Sequence, residues 1–384
     1  MTDAIPDRPE AISPEWLTDR LRASGALTSA AVASLDCEPI SEGMGFAGVV
    51  ARLTPTYTRS EPGAPETLVV TMASPHDSTR DLLVDLGSYR REVDFYRNLG
   101  GDAGLPAPAC HHAELDADSG RFVLLLEDLA PAALGDQVAG ATREQSVSVM
   151  HELARFHARW WSSTELAEAD WVQPARLGER LPGLFEDGIA RVGDRLREQA
   201  PRLHAVAQRL RPSMPLFARL LDAEPIPTPF TLVHGDMRCD NLFFPSAEGG
   251  RFAAVDWQGT TLASPVIDVS VWIHLSARTE DRRASELDLL RTYHGALRSY
   301  GVRDYPFLRL RLDHWLILLQ IPIAVVVVTD QLDFSSPRGE ALYDALAQRL
   351  DASLADHRVE RLLPLVPWLV RARLRWLARS SRSP

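Results

Sequence analysis

His234-Gly235-Asp236-Met237-Arg238-Cys239-Asp240-Asn241 closes the run Phe230 to Val233, and Asp256-Trp257-Gln258 closes a second run that begins at Arg251. Each run reads as a short apolar strand that delivers polar residues at its end. Phosphoryl transfer needs one carboxylate to orient an attacking hydroxyl, and a carboxylate plus an amide oxygen to hold magnesium against phosphates. Asp236, Asn241 and Asp256 supply these groups, the second aspartate standing twenty positions after the first. A plain turn, in which His234 and Asp236 only cap backbone groups, is the bland alternative. Three polar groups at the ends of two apolar strands argue against it.

Upstream, Gly43-Met44-Gly45-Phe46-Ala47-Gly48-Val49-Val50 is a G-x-G-x-x-G-x-V string. Glycines let a backbone approach phosphates and adopt torsions closed to other residues. A dinucleotide fold wants a helix after the last glycine, whereas VVARLTPTY reads as a strand, which favours a hairpin lid of the kinase type. The flanking texture agrees. Ser13-Pro14-Glu15 opens a helix that ends near Gly25. VVARLTPTY and ETLVV are β-type runs, residues 78–99 look helical, and Arg121 to Leu129 (RFVLLLEDL) reads as a buried strand ending in two acids. Beyond Leu129 the chain is mainly helical.

Composition narrows the chemistry. The 384 residues contain 41 arginines and no lysine. That removes Schiff-base aldolases, pyridoxal enzymes, Walker-type P-loop NTPases and Ser-Lys hydrolases, which all need an amine. A net charge of −11 argues against nucleic acid as a partner. Cys37, Cys110 and Cys239 are too scattered for a disulfide framework, and the polar, acidic start lacks the pattern of a secretory signal, so a cytoplasmic location is expected. Trp315 to Val328, interrupted by Gln320 and Pro322, is read as core and not as a membrane span.

Together these motifs resemble the aminoglycoside phosphotransferase superfamily of small-molecule kinases, especially its ecdysteroid-kinase-like and choline-kinase-like members. The resemblance runs through the glycine loop, the helix Tyr89 to Tyr96, the LLLEDL segment, the H-G-D-x-x-x-x-N loop and the VDWQ strand. It implies an α+β, bilobal protein-kinase-like fold: a small β-rich N-lobe over 1–129 with the glycine loop and key helix, and a larger helical C-lobe over 130–384 with the catalytic and metal loops. It also implies ATP and Mg²⁺ as cofactors, with Gly43, Gly45 and Gly48 around the phosphates and Asn241 and Asp256 as metal ligands. Asp236 would be the catalytic base or positioning residue, with His234 beside it. Glu92 would be the helix acid that grips a lysine, Glu127 to Leu129 the hinge facing adenine, and Asp268 a brace for the catalytic loop.

The chain departs from this family at Thr71, which stands where such kinases read as valine-valine-lysine. Only arginine could replace the lost charge, and Arg52, Arg90 and Arg91 are the nearby candidates. Glu92 is then expected to be an unpaired carboxylate unless arginine, water or a proton answers it. Three readings follow: ATP- and Mg²⁺-dependent phosphorylation of a small-molecule hydroxyl; a kinase fold repurposed for cofactor-free cyclisation or dehydration of a natural-product intermediate, with Asp236 or His234 as base; and a non-catalytic, pseudokinase-like binding protein. A small-molecule substrate is expected, with no nucleic acid or membrane partner.

Lesser signals take bland readings. His151 and His157 lie on different faces of one helix and are read as core packing. His111-His112 reads as an exposed loop pair, Cys239 as a packing thiol, and the arginine-rich C-terminal run as a solvated helix end.

Overall fold

The computed structural model describes residues 5–40, 48–174, 178–223, 226, 228–327 and 336–380. Gly43 and Gly45 lie outside the described residues, and Gly48 lies inside them. The fold is α+β, with a β-rich N-terminal region and a helical C-terminal region. Its contacts form two compact units, Met1–Leu134 with Asn241–Thr260, and Gly135–Asp240 with Thr261–Pro384. The sequence reading drew one cut after Leu129. Here the chain crosses at three places, and the segment holding Asn241 and Asp256 packs with the first unit.

In the first unit, helix α1 (Pro14–Ala23) starts where its residues dictate: Ser13 Oγ accepts the Trp16 N–H at 3.1 Å, and Pro14 occupies the first turn. The main sheet is antiparallel throughout, in the order β1-β2-β3-β5-β4. Its strands are β1 (Val32–Pro39), β2 (Gly48–Tyr57), β3 (Leu68–Ala73), β4 (Cys110–Asp116) and β5 (Arg121–Glu127). The sequence reading missed β1, an edge strand in which only Val32 is fully buried, so its apolar alternation is too sparse to read.

Strand β5 is apolar without interruption because both of its faces are covered. Val123 and Leu125 join Leu17, Leu21, Leu53, Leu68 and Val70 in one core, while Phe122 meets Tyr89 at 4.6 Å between ring centroids. Tyr89 lies on α3 (Ser88–Asn98), which follows α2 (Asp77–Asp85) after a break at Gly87, whose φ of 69° is left-handed. The single helical stretch expected over 78–99 is therefore two helices. His111 and His112 also differ from expectation: they sit on strand β4, half-buried, with His112 Nε2 3.0 Å from Glu114 and its ring edge-on to Trp16. A small sheet of β6 (Ala133–Leu134), β8 (Leu242–Phe244) and β9 (Ala253–Ala254) completes the unit.

The second unit is helical apart from the antiparallel pair β7 (Thr231–Val233) and β10 (Thr261–Ala263). Helix α4 (Arg143–Arg159) opens with a reciprocal Thr142–Gln145 capping box. The other helices are α5 (Thr164–Glu168), α6 (Leu181–Gln199), α7 (Pro201–Leu210), α8 (Met214–Ala223), α9 (Val266–Val271), α10 (Thr279–Ser299), α11 (Phe307–Ile317), α12 (Ile321–Val327), α13 (Pro337–Asp356) and α14 (Val366–Ser380). Helix α9 runs directly into a π-helical turn, Trp272–Ser276.

The stretch Phe307–Val327 has the length and mean hydropathy, 1.6, of a membrane-crossing helix, but 56% of that apolar window is buried within the protein. It divides into α11 and α12, and Leu310, Ile317, Ile321, Val325 and Val326 are core residues. Core packing accounts for its hydropathy.

Candidate active site

The loop after β7 is shaped from beneath by one buried carboxylate. Asp268, on α9, is fully buried and accepts the backbone N–H of His234 at 2.8 Å and of Gly235 at 2.9 Å. It also meets His157 Nε2 at 3.2 Å, whose Nδ1 lies 2.9 Å from the Tyr293 hydroxyl. Gly235 has φ of 83°, a torsion open to glycine and costly for most other residues. The expected brace role of Asp268 thus has a concrete geometry. His157 is buried, as expected, whereas His151, read the same way, is exposed on another face of the helix; His157 is also a hydrogen-bonded support, a role that no local spacing reveals.

Two further supports escaped the sequence reading. Gln137 Oε1 accepts the Cys239 N–H at 2.7 Å, and the Gln137 N–H donates to Asp240 at 2.8 Å. A side chain at Gly135 would run into the Cys239 carbonyl, 2.5 Å away. The loop is therefore clamped by a segment a hundred residues earlier in the chain. Cys239 is buried, and burial pushes its thiol up to about 12, which leaves it a packing residue.

On this support, Asp236 is partly exposed. Both of its carboxylate oxygens accept from Arg238, Nε and Nη2 each at 2.7 Å. This fork geometry fixes the carboxylate plane and sets a positive charge next to it. His234 is fully buried, and its Nδ1 accepts the Asp236 N–H at 3.3 Å. Its burial sets it apart from the partly exposed Asp236 carboxylate.

Asn241 and Asp256 lie in the first unit, at one end of the β8–β9 hairpin, where the Val255 N–H donates to the Asn241 carbonyl at 3.0 Å. Asp256 adopts φ of 64° and ψ of 67°, a left-handed conformation that aspartate tolerates better than most residues. Helix α3 holds the turn that follows. Phe95 stacks on Trp257 at 3.7 Å, Arg91 Nε donates to the Gln258 carbonyl at 3.0 Å, and Glu92 accepts the Trp257 N–H.

Glu92 answers the question raised by the absent lysine. It is buried, and burial, reinforced by the Asp256 charge, pushes its carboxyl up to about 8. A proton answers it at neutral pH. Among the described residues no arginine pairs with it. Arg52 Nε is held by Asp128 at 2.6 Å, Arg90 by Asp94 at 3.3 Å, and Arg91 by the Leu86 and Gln258 carbonyls. Thr71 is half-buried on β3, between Val50 of β2 and Leu124 of β5.

Of the remaining expected residues, Gly48 begins β2, where an added Cβ would lie 2.1 Å from the Met72 carbonyl oxygen. Glu127 accepts the Ala109 N–H at 2.9 Å and pairs with Arg251 at 2.6 Å, and Leu129 is buried.

Comparison with known proteins gives this geometry its context. The structure is similar to a choline kinase from Cryptosporidium parvum Iowa II, with TM-score 0.53 and 11% identity, covering 95% of this chain and 99% of that one. It is similar also to an amicoumacin kinase solved with AMP-PNP, Ca²⁺ and Ami, with TM-score 0.50 and 13% identity over 83% of this chain and 88% of that one. At these identities the likeness is one of fold, and the fold is protein-kinase-like. Among curated proteins, a 62-residue segment is 40% identical to acyl-CoA dehydrogenase family member 10 of Mus musculus. That match spans 15% of this chain and only 6% of the mouse protein's length. Residues 42–302, more than half of the chain, match the ecdysteroid kinase-like family, and the protein therefore belongs to that family of kinase-like phosphotransferases.

Proposed function

We propose that the protein is a small-molecule kinase that transfers a phosphoryl group from ATP to a substrate hydroxyl, with a divalent cation held by Asn241 and Asp256. The observation that carries this reading is the β8–β9 hairpin, which sets an amide-bearing and a carboxylate-bearing side chain at one end of two paired strands. Oxygen donors of this kind suit magnesium. The cation, when bound, neutralises phosphate charge.

The chain's own residues do the rest. Asp236 accepts a hydrogen bond from the acceptor hydroxyl and takes its proton as attack proceeds. Arg238 fixes the plane of that carboxylate, and His234 and Asp268 hold the loop in register beneath it. Thr71 cannot grip a phosphate as an ammonium does, so nucleotide binding must rest on other groups, and weak ATP affinity is part of the proposal.

One observation favours a second reading. Glu92 is protonated at neutral pH and bonded to the Trp257 amide, so the charge clamp of the fold is dismantled in the first unit while the catalytic loop stays intact. A repurposed enzyme that uses Asp236 as a base without nucleotide fits that pattern.

A thermal-shift titration with Mg-ATP, paired with [γ-³²P]ATP transfer to a panel of hydroxylated small molecules, separates the two. Phosphorylation is supported by a saturable rise in Tm that Asn241→Ala and Asp256→Ala abolish, together with labelled product. An unchanged Tm at millimolar Mg-ATP overturns it and leaves the nucleotide-free reading. Full turnover in Asp236→Ala sinks both.

A further inference from the structure

Away from the catalytic loop, the helical unit buries a cluster of imidazoles around one carboxylate. His274 lies in the π-helical turn, Glu286 on α10, His314 on α11 and His357 at the C-terminal cap of α13. A ring nitrogen each of His274 and His357 and a carboxylate oxygen of Glu286 lie within 4.8 Å of one another. His357 Nε2 is 3.0 Å from Glu286 Oε1, and His314 Nε2 is 3.6 Å from the same oxygen. We propose that His274, Glu286 and His357, with His314 as the fourth donor, form a structural binding site for a divalent transition-metal ion of the zinc class.

Three features carry the assignment. The first is an orphaned ligand atom: His274 and His314 are more than nine-tenths buried, the His274 Nε2 has no hydrogen-bond partner among the described residues, and the His314 Nε2 faces only the Glu286 carboxylate, at 3.6 Å. An unanswered ring nitrogen in the core is costly, and a cation answers several at once. The second is the shell behind the ligands. His274 Nδ1 lies 3.2 Å from Ser353 Oγ and His314 Nδ1 lies 2.8 Å from Ser270 Oγ, so each ring is fixed through one nitrogen while the other remains for metal. Arg282 donates to Glu286 Oε2 at 2.9 Å and orients the carboxylate so that Oε1 faces His314 and His357, while Asp356 pairs with Arg282 and Arg283.

The third feature is the backbone. A π-helical turn is rare and occurs mostly as a local bulge at functional positions. Here it carries His274, whose ring stacks on His314 at 4.6 Å.

Three imidazoles and one carboxylate suit tetrahedral zinc. Metal–ligand bonds of about 2.0–2.1 Å set donor atoms about 3.3 Å apart, so the cluster must close by about 1.5 Å at its widest. Glu286 and His357, the less buried members, are the side chains with room to do so. Bound metal would then tie the π turn, α10, α11 and the end of α13 into one cross-link.

The test uses untagged full-length protein. Elemental analysis after gel filtration should find about one zinc per chain, and cobalt substitution should give the visible bands of a tetrahedral site. Stripping with a strong chelator should lower Tm, Zn²⁺ should restore it and Mg²⁺ should not. His357→Gln, at the most exposed ligand, should fold and bind Zn²⁺ at least about tenfold more weakly, and Glu286→Gln should do the same. Zinc affinity equal in wild type and His357→Gln, or a Tm indifferent to chelator and zinc, overturns the site. Because Tm and metal content are read without substrate, failure here is distinct from failure of the kinase reading.

Discussion

Two buried acids in this protein have met opposite fates. Asp268 in the helical unit has three donors, two from the backbone of the catalytic loop and one from His157. Glu92 in the sheet unit has one backbone N–H and no cationic partner among the described residues, and its carboxyl rises to about 8. A buried carboxylate must be answered by charge, by hydrogen bonds or by a proton. Asp268 is answered by hydrogen bonds, and Glu92 by a proton. The difference teaches that packing can answer a buried acid in two ways, and only the first of them leaves its acceptor oxygens fixing a loop.

The comparison breaks most visibly at Asp268. Asp268→Ala leaves two loop N–H groups and the His157 ring without an acceptor, and should cost about 3–5 kcal/mol. Urea unfolding at neutral pH checks it, and a loss under about 1 kcal/mol would mean that the loop is held by something else. Turnover, whatever the reaction, should fall with it.

Glu92 gives the next effect, of opposite sign. Between the ordinary carboxyl value of 4.5 and about 8, the folded protein holds a proton that the unfolded chain has released. Stability at Glu92 is therefore lost as pH rises through that window, by about 5 kcal/mol at most. Glu92→Gln, compared with wild type in chelator-containing buffer from pH 5 to 9, should remove most of this slope. A slope that persists unchanged would show that Glu92 is ionised and that a cation does pair with it.

Arg91 sharpens the same point at smaller scale. Its guanidinium bonds two backbone carbonyls, at 2.9 and 3.0 Å, and so serves the Gln258 turn. Arg91→Met should cost about 1–3 kcal/mol by leaving those carbonyls unanswered. A large loss of nucleotide binding with unchanged stability would instead make Arg91 the substitute for the missing lysine. The smallest effect concerns Cys239. With its thiol near 12, iodoacetamide at pH 8 should label it only after unfolding, as mass spectrometry of the native and denatured protein will report.

Legibility in the sequence was uneven for physical reasons. The strands β2, β3 and β5, the Ser13 cap and both polar loops were readable because each is a local pattern of alternation, capping or apolar run. Strand β1 was missed because an edge strand buries little, and the break at Gly87 because one left-handed residue within a helical texture is a weak signal. Asp236, Asn241 and Asp256 stand out in the sequence by order and spacing. Gln137 and His157 do not, because Gln137 meets Cys239 across 102 residues and His157 meets Asp268 across 111, through contacts that no local periodicity encodes.

The sequence by itself determined the family pattern, the order of its chemical groups and the absence of any ammonium side chain. Tertiary structure alone decided what answers the buried Glu92 carboxyl. Arg52, Arg90 and Arg91 were all candidates, and each is engaged elsewhere, by Asp128, by Asp94 and by backbone carbonyls. It alone also gathered His274, Glu286, His314 and His357 from four separate segments. The reason is one of range: backbone preference and hydrophobic pattern are written between near neighbours, whereas the partner of a buried charge is set by how distant segments pack.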